Sequence, residues 1–454
     1  MSLTSILSIA RSALAMQQKS VDVAANNIAN ASTEGYRRQR LELTEADPLR
    51  TPEGTLGRGV TSAGIQRARD EFLDAGFRRE SGLLGRFDTT RQLLSNVEGV
   101  LDESAGSGLA SGLDALLDSF SDLANDPSSS SARSLVRQNA ENLVQQFRST
   151  SDRIALVGQD VLQRMQGAVS EVNQFAVQIA DLNRQIASAA KGVSAPDLED
   201  QRDALIDKLS GLIDVRVVEH PNRTVGVIAG GALLVDGAQH SSMEVRSAAS
   251  GGYGLGVPGT GSLITLVGGS LKGLSDLSVS TLPSIQAQLD RFASAVVTEV
   301  NAVHRTGTTV AGGANTDFFD PTGLTASSIA LASPIRISTD AIATGTTGSP
   351  GDGSVALKLS QLRTTPVASA GGQTLGEFYA GVVTTVGVLT RAAEQGTASQ
   401  DALVANVKSQ RSSVSEVSID EEMVSLIKGQ QAFAAASKIV AAADEMMQSI
   451  LNMV

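Results

Sequence analysis

Three histidines, His220, His240 and His304, and 48 aspartates and glutamates are the residues whose side chains could do acid–base or metal chemistry here. A zinc site needs imidazoles at a spacing that turns them to one point, as in HExxH. The histidines stand far apart with no such spacing, and each reads as a turn or helix-end residue. Gly254, Gly256 and Gly259 spell GxGxxG, but Pro258 intrudes and the segment that follows reads as strand. A dinucleotide fingerprint opens a helix there, so a flexible β-turn is the better reading. With no cysteine, thiolate metal sites, thiol catalysis and a disulfide framework are all excluded. No P-loop, no GxSxG elbow and no ordered Ser/His/Asp set is present. The expectation is a protein without catalytic residues, metal or cofactor.

The unusual polar residues are amides. Asn26, Asn27 and Asn30 stand at the end of the first helical pattern, followed by Ser32-Thr33-Glu34-Gly35-Tyr36. Asparagine disfavours helix interiors because its side chain competes for backbone hydrogen bonds. One reading is a C-terminal cap and turn in which Gly35 takes positive φ. The other has the three amides bonding neighbouring subunits and fixing how helices pack, as a buried asparagine fixes register in a coiled coil.

The elements that must carry these residues are mostly helical. Leu3, Leu7, Ala10, Leu14, Val21, Ala24 and Ile28 form a heptad seam. The C-terminal forty or so residues repeat the device with Ile419, Met423, Leu426, Phe433, Val440, Met447, Leu451 and Val454, opened by a Ser418/Glu421 capping box. Between Ser131 and Lys191 a seam from Val136 to Ile186 runs without proline, long enough for a rod of about 90 Å at about 1.5 Å per residue. Shorter helical patterns cover roughly 70–101, 108–124, 197–210, 283–304 and 374–410, the last opened by a Thr374/Glu377 capping box. From Asp214 the apolar period changes to two, predicting a small antiparallel β unit that ends near Gly273. A Gly/Thr/Ser-rich stretch from Thr306 to Gly353, with a strand-like segment at Ile335–Ile337, is expected to pack against it. The predicted fold class is thus mainly α with β: terminal coiled-coil helices, a long helical-bundle middle domain and a small antiparallel β-rich outer domain, nested from both ends inward.

Composition narrows the partners. A formal charge of −12 with no basic run argues against nucleic acid. No apolar run reaches the length of a membrane span, and the opening MSLTSILSIARSALAM lacks the basic start and uninterrupted apolar core of a cleavable signal. Ordering about forty residues at each end costs about 1–2 kcal/mol per residue, whereas each buried large apolar side chain returns only about 1.5–3 kcal/mol. One seam does not hold such an end alone, and the termini are expected to order when many copies pack together.

At these termini the chain resembles a known group. Ala25-Asn26-Asn27-Ile28-Ala29-Asn30 with Thr33-Glu34-Gly35-Tyr36-Arg37-Arg38-Gln39 resembles the N-terminal signature of the bacterial flagellar axial proteins. Val417 to Met423, Gln430 to Phe433 and Ala443 to Met446 resemble the matching C-terminal motif, although Phe433 stands where a hydroxylated aromatic is common. The middle is similar to the hook-associated protein 1 (FlgK) family: RARDEFL at 67–73, Leu123 to Pro127, LEDQRDAL at 198–205, GGSLKGL at 268–274, Asn301 to His304 and Phe318-Phe319. The rivals are another axial protein, hook or distal rod, and a secreted enzyme or adhesin with flagellar export ends.

The resemblance implies a ring joining hook to filament, outside the cell, by a chain exported without a cleaved signal peptide. Its implied partners are the hook protein, a second junction protein, other copies of itself and an export chaperone on the C-terminal helix. The subunit-interface candidates are Leu3, Leu7, Leu14, Val21, Asn26, Asn27, Ile28, Asn30, Gly35, Tyr36, Met423, Leu426, Phe433, Val440, Met447 and Leu451. The implied domains are 1–65 with 412–454, 66–211 with 275–305 and 354–411, and 212–274 with 306–353.

Overall fold

The computed structural model describes residues 3–51, 54–102, 106, 108–189, 194–248, 251–259, 263–310 and 312–452. The first helix, α1 (Leu3–Asn30), is followed by β1 (Gln39–Glu45), β2 (Leu49–Thr51), β3 (Gly54–Leu56) and β4 (Val60–Arg67). Then come α2 (Glu71–Leu101), α3 (Leu109–Asn125), the 60-residue α4 (Ser130–Ala189) and α5 (Pro196–Leu212). The insert holds β5 (Arg216–Glu219), β6 (Val225–Ala229), β7 (Ala232–Asp236), β8 (Gln239–His240), β9 (Glu244–Ser247), β10 (Tyr253–Gly256) and β11 (Leu263–Ile264). The chain returns through α6 (Ser270–Asp276), α7 (Leu282–His304), α8 (Ser333–Ile337), α9 (Ser354–Gln361), α10 (Leu375–Ser415) and α11 (Ile419–Leu451).

The helical patterns become helices because their starts are capped as well as periodic. Thr374 and Glu377 close the expected reciprocal capping box on α10. Asp70 accepts from Phe72 N and Leu73 N at the start of α2, and Ser129 Oγ accepts from Ala132 N at the start of α4. At α11 only half of the expected box forms. Ser418 accepts from Glu421 N, but the Glu421 carboxylate pairs with Arg38 at 2.6 Å instead of turning back to its own backbone.

A rod is built from α2 antiparallel to α10, with α3, α4, α5 and α7 around a continuous aliphatic core that includes Leu116, Leu143, Phe147, Val172, Ile206 and Phe292. The helix expected from residue 283 begins earlier. A π turn at Leu277–Thr281 carries α6 into α7 across Pro283, which has no N–H to offer the helix ladder. Segment 268–274, expected to end the β unit, therefore belongs to the rod: Leu271 and Leu274 are buried, and the last strand of the insert ends at Ile264.

The insert forms two antiparallel sheets, ordered β5-β6-β7-β8 and β11-β10-β9. Gly254 and Gly256 lie within β10, which pairs with β9 and β11, so the GxGxxG spacing is strand and turn. The sheets lie along the later half of α4, where Asn183 Nδ2 donates to Val225 O and Gly237 O and Asn173 Nδ2 to Met243 O. Where the insert leaves and rejoins the rod its two stems touch, Val267 N donating to Asp214 Oδ1 at 2.9 Å.

The 306–353 segment does not join those sheets. It caps the other end of the rod, because its irregular backbone finds side-chain partners there. Arg133 donates to Ile342 O and Pro127 O, Arg148 to Ile329 O, and Asn301 bonds Phe318 N, Phe319 N and Phe319 O. Phe318 and Phe319 enter the core edge-on to each other, with Phe120 against Phe318. Ile335–Ile337, expected as strand, lies in α8, since Pro334 suits a first helical turn. His304, the last residue of α7, is fully buried: its two ring nitrogens lie 2.8 Å from Thr316 O and 2.9 Å from Ala343 N.

Candidate subunit interface and the joint beneath it

The first and last helices pack antiparallel: Asn27 meets Glu422, and Gly429 sits against Val21. The buried residues of α11 recur every seventh position, Glu422, Gly429, Ala436 and Ala443, against Ala10, Val23 and Ala24 of α1. A Cβ on Gly429 would come within 2.8 Å of Val21 Cγ2, so small residues set how closely the helices approach. The seam expected on α11 is therefore displaced. Leu426, Val440 and Met447 are half-buried, whereas Met423, Phe433 and Leu451 are exposed, the last 70% so. Val424, Ile427, Ile439, Met446 and Ile450 are exposed beside them. Large apolar side chains thus face outward. On α1, Leu7, Leu14, Val21 and Ile28 are half-buried, and the side chain of Leu3 lies outside the described residues.

The asparagine cluster divides. Asn27 is fully buried and its amide is committed inside the chain. Its Nδ2 donates to Gln39 O at 2.9 Å and Glu422 Oε2 at 3.0 Å, and its Oδ1 accepts from Gln39 N and the Tyr36 hydroxyl. The idea that it bonds a neighbouring subunit is corrected: with four hydrogen bonds made, its amide has no capacity left for one. Asn26 is exposed and Asn30 half-buried; Asn30 Nδ2 donates to Asn26 O and Oδ1. Burial, with Asp197, Asp200 and Glu422 nearby, pushes the Tyr36 hydroxyl up to about 12. Gly35 has φ +82°, as the turn reading requires, and a Cβ there would touch Ala204 Cβ at 3.4 Å. It stands beside a cleft of about 620 Å3 lined in part by Asn30, Tyr36, Leu182, Gln185 and Lys208.

Below this pair lies a feature that periodicity does not show. α5 presents Glu199, Asp200, Asp203 and Asp207 as a row of carboxylates to arginines from distant segments. Arg67 at the end of β4 reaches Glu199 at 2.9 Å and both Asp200 and Asp203 at 2.8 Å. Arg37 makes two bonds to Asp74, 2.7 and 2.9 Å, and its backbone N–H donates to Asp200. Arg411 of α10 bridges Asp74 and Asp207, and Arg78 pairs with Asp207 at 2.7 Å. Arg69 joins Glu219 of the insert to the same hub. Burial works to raise the Asp203 carboxyl, yet Arg67, Arg202, Arg37 and Arg78 hold it well below the usual range. For Asp200 burial prevails over Arg67 and Arg37, and its pKa is raised.

A β-hairpin also stands where the terminal unit was read as helical. β1 pairs with β4 in antiparallel register from Gln39–Arg67 to Glu45–Val60, with a bulge after Glu42, and β2 pairs with β3 at its tip. The alternation Leu41-Glu42-Leu43 was its visible signal. Among the described residues no group of three or more His, Asp or Glu is placed to hold a metal ion, and no helix is long and apolar enough to cross a membrane.

Comparisons with known proteins agree along the whole chain. A family profile described as the flagellar hook-associated protein FlgK helical domain matches residues 94–319. Profiles for the flagella basal body rod protein and the C-terminal part of the FlgEFG basal body rod proteins match residues 7–37 and 408–453. Flagellar hook-associated protein 1 of Bacillus subtilis is 30% identical over 500 residues, covering 98% of this chain and 97% of the relative. The protein of that name from Escherichia coli is 28% identical over 333 residues, 70% of this chain and 60% of the relative. The solved structure of the flagellar hook junction protein FlgK from Burkholderia pseudomallei shares the fold, with a TM-score of 0.67 at 18% identity, over 75% of this chain and 100% of that one. Near full-length similarity at 30% identity, with axial-protein profiles at both ends and the helical-domain profile between them, makes this chain a member of the flagellar hook-associated protein 1 family.

Proposed function

We propose that this chain is a structural, non-catalytic component of the bacterial flagellum, forming the junction ring between hook and filament by packing its terminal helices against those of neighbouring copies. The observation that carries this is the outward face of α11, where Met423, Val424, Ile427, Phe433, Ile439, Met446, Ile450 and Leu451 are each 41–70% exposed while the small-residue seam is closed by α1. Burying the remaining half of such side chains yields on the order of 10 kcal/mol per copy, close to the roughly 4–15 kcal/mol that association costs. One neighbour is therefore marginal. A closed ring, in which every copy has two neighbours, is not.

In this reading the hook protein meets the ring on one side and a second junction protein on the other. A chaperone covers the apolar face of α11 until the chain is exported, without a cleaved signal, to the outside of the cell. The terminal helices, with the residue 39–67 hairpin, form the inner unit, the rod the middle one, and the β insert, without segment 306–353, the outer one. Electron microscopy of a deletion strain tests the role. Hooks without filaments, with filament protein lost to the medium, are expected; normal filaments would reject it, and absent hooks would mark a rod component instead.

A further inference from the structure

Removing a guanidinium from water is costly unless an opposite charge stands near it. The buried Arg37, Arg78 and Arg202 each have a carboxylate within 3.4 Å. Arg133 differs: it is 3% exposed, yet among the described residues no carboxylate lies within 4.0 Å of it. Its hydrogen bonds go to neutral oxygens, Nη1 to Ile342 O at 2.5 Å and Nη2 to Pro127 O at 2.9 Å and Thr344 Oγ1 at 3.3 Å. A guanidinium has more N–H groups than these bonds use, and none of the three acceptors carries charge.

Arg133 forms part of the wall of a cavity of about 200 Å3 between the start of α4 and segment 306–353. The wall also carries the hydroxyl residues Ser128, Ser130, Thr308, Thr309, Thr344 and Ser349. Ser130 is the first residue of α4. The leading N–H groups of a helix have no partners within it and form its positive end. A buried guanidinium, hydroxyls and a helix start around one space are the groups that hold phosphate or sulfate. The volume is several times the roughly 30 Å3 that one water takes up in the liquid, so a tetrahedral oxyanion fits. Arg133 and the helix start both repel a cation. The one carboxylate among the lining residues, Asp340, is exposed, and its pull does not offset the burial that holds the Arg133 pKa below its ordinary value.

We propose that this cavity binds one inorganic oxyanion, phosphate or sulfate, which gives Arg133 its counter-charge and fastens segment 306–353 to the start of α4. The site lies at the capped end of the rod and asks nothing of the terminal helices. It therefore stands apart from the junction role and holds for a single chain whatever that chain assembles with.

Hydrogen exchange of the full chain at neutral pH, with sodium phosphate titrated against sodium chloride at constant ionic strength, tests the site. Phosphate is expected to slow exchange across residues 342–345 saturably, about tenfold at ten times the dissociation constant, and to leave residues 161–180 of α4 as they are in chloride. The comparison within one chain matters because phosphate and sulfate also stabilise whole proteins by exclusion from their surface. Arg133→Met is expected to abolish the local response. Since Arg133 also holds Ile342 O and Pro127 O, that variant loosens the segment by itself. Ser130→Glu keeps those bonds and sets a carboxylate at the exposed first position of α4, where a helix favours one. It too is expected to end the response, by repelling the ion. Equal exchange in phosphate and chloride overturns the proposal. So does slowing of the same size throughout α4, or slowing across 342–345 that survives either substitution.

Discussion

Asn27 Nδ2 and Glu422 Oε2 lie 3.0 Å apart although 395 residues separate them in the chain. The same carboxylate takes Arg38 Nε at 2.6 Å on its other oxygen. One buried amide and one buried acid therefore tie the first helix, the loop that follows it and the last helix into a single knot.

Asn27→Ala removes partners from Gln39 N, the Tyr36 hydroxyl and Glu422 together. Each buried group left unsatisfied costs about 1–3 kcal/mol. Hydrogen exchange is expected to quicken throughout α1 and α11 and to stay unchanged in α4; equal loss in both would show that the knot is not local.

Gly35→Ala places a side chain at φ +82° and a Cβ against Ala204. The left-handed region alone costs a residue with a Cβ roughly 1–2 kcal/mol. A urea midpoint unmoved by this change would mean that the turn relaxes to another conformation.

Gly429→Val and Phe433→Ser separate folding from assembly. The first drives a side chain into Val21 and is expected to unpair α1 from α11 in the single chain. The second alters a side chain 41% exposed and should shift monomer stability by no more than about 0.5 kcal/mol. It should still weaken self-association, as read by sedimentation at rising concentration.

Asp203→Ala leaves Arg67, Arg202 and Arg37 facing one another across a buried space. Breaking one partner of such a network costs about 3–5 kcal/mol, measurable as a lower denaturant midpoint. Asp203→Asn, which keeps the shape and one acceptor, should leave the midpoint close to its original value; a loss equal to that of Asp203→Ala would make the missing charge, not the missing side chain, the cause.

His304 makes the attachment of segment 306–353 acid-sensitive. Its buried ring receives Ala343 N–H on Nε2 and faces Thr316 O from Nδ1, so a second proton would set two donors head to head. Burial lowers its pKa below the ordinary 6.5, outweighing the opposing pull of Thr316 O and Asp317. The unfolded chain therefore takes up the proton first on acidification. The stability due to the neutral ring is complete above about 6.5 and is lost as pH falls from there through the folded value. Protection factors at Ala343 and its neighbours, which allow for the slower intrinsic exchange in acid, should fall between neutral and mildly acid pH while those in α4 do not; identical protection factors at both would count against it.

The helices were legible because their information is local. Val136 to Ile186 repeats every three or four residues, and Thr374 and Glu377 announce a start, so α4 and α10 could be placed to within a few residues. The contact of α11 with α1 was less legible for a physical reason: large apolar residues dominate a periodicity count, but at the tightest contact Gly429, Ala436 and Ala443 are buried because they are small. The hub was hidden differently. Asp200 and Asp203 look like a solvated helix face until Arg67, 133 and 136 residues away, is brought to them. The density of charge in RARDEF and LEDQRD was its one local trace. The 306–353 segment lacks period altogether, since Arg133, Asn301 and His304 supply from elsewhere the partners that a sheet would supply to itself.

The touching stems of the β insert, Asp214 and Val267, bring the chain back to the point it left. A peptide that departs and returns at one point imposes no spacing on the helices it interrupts, so the register of α5 against α6 is set by the rod. The insert is seated a second time along the later half of α4, where Asn183 and the buried Val225, Val227 and Leu234 hold it. It is a plug in a two-point socket, whose outer loops can vary only while the face turned to α4 is kept.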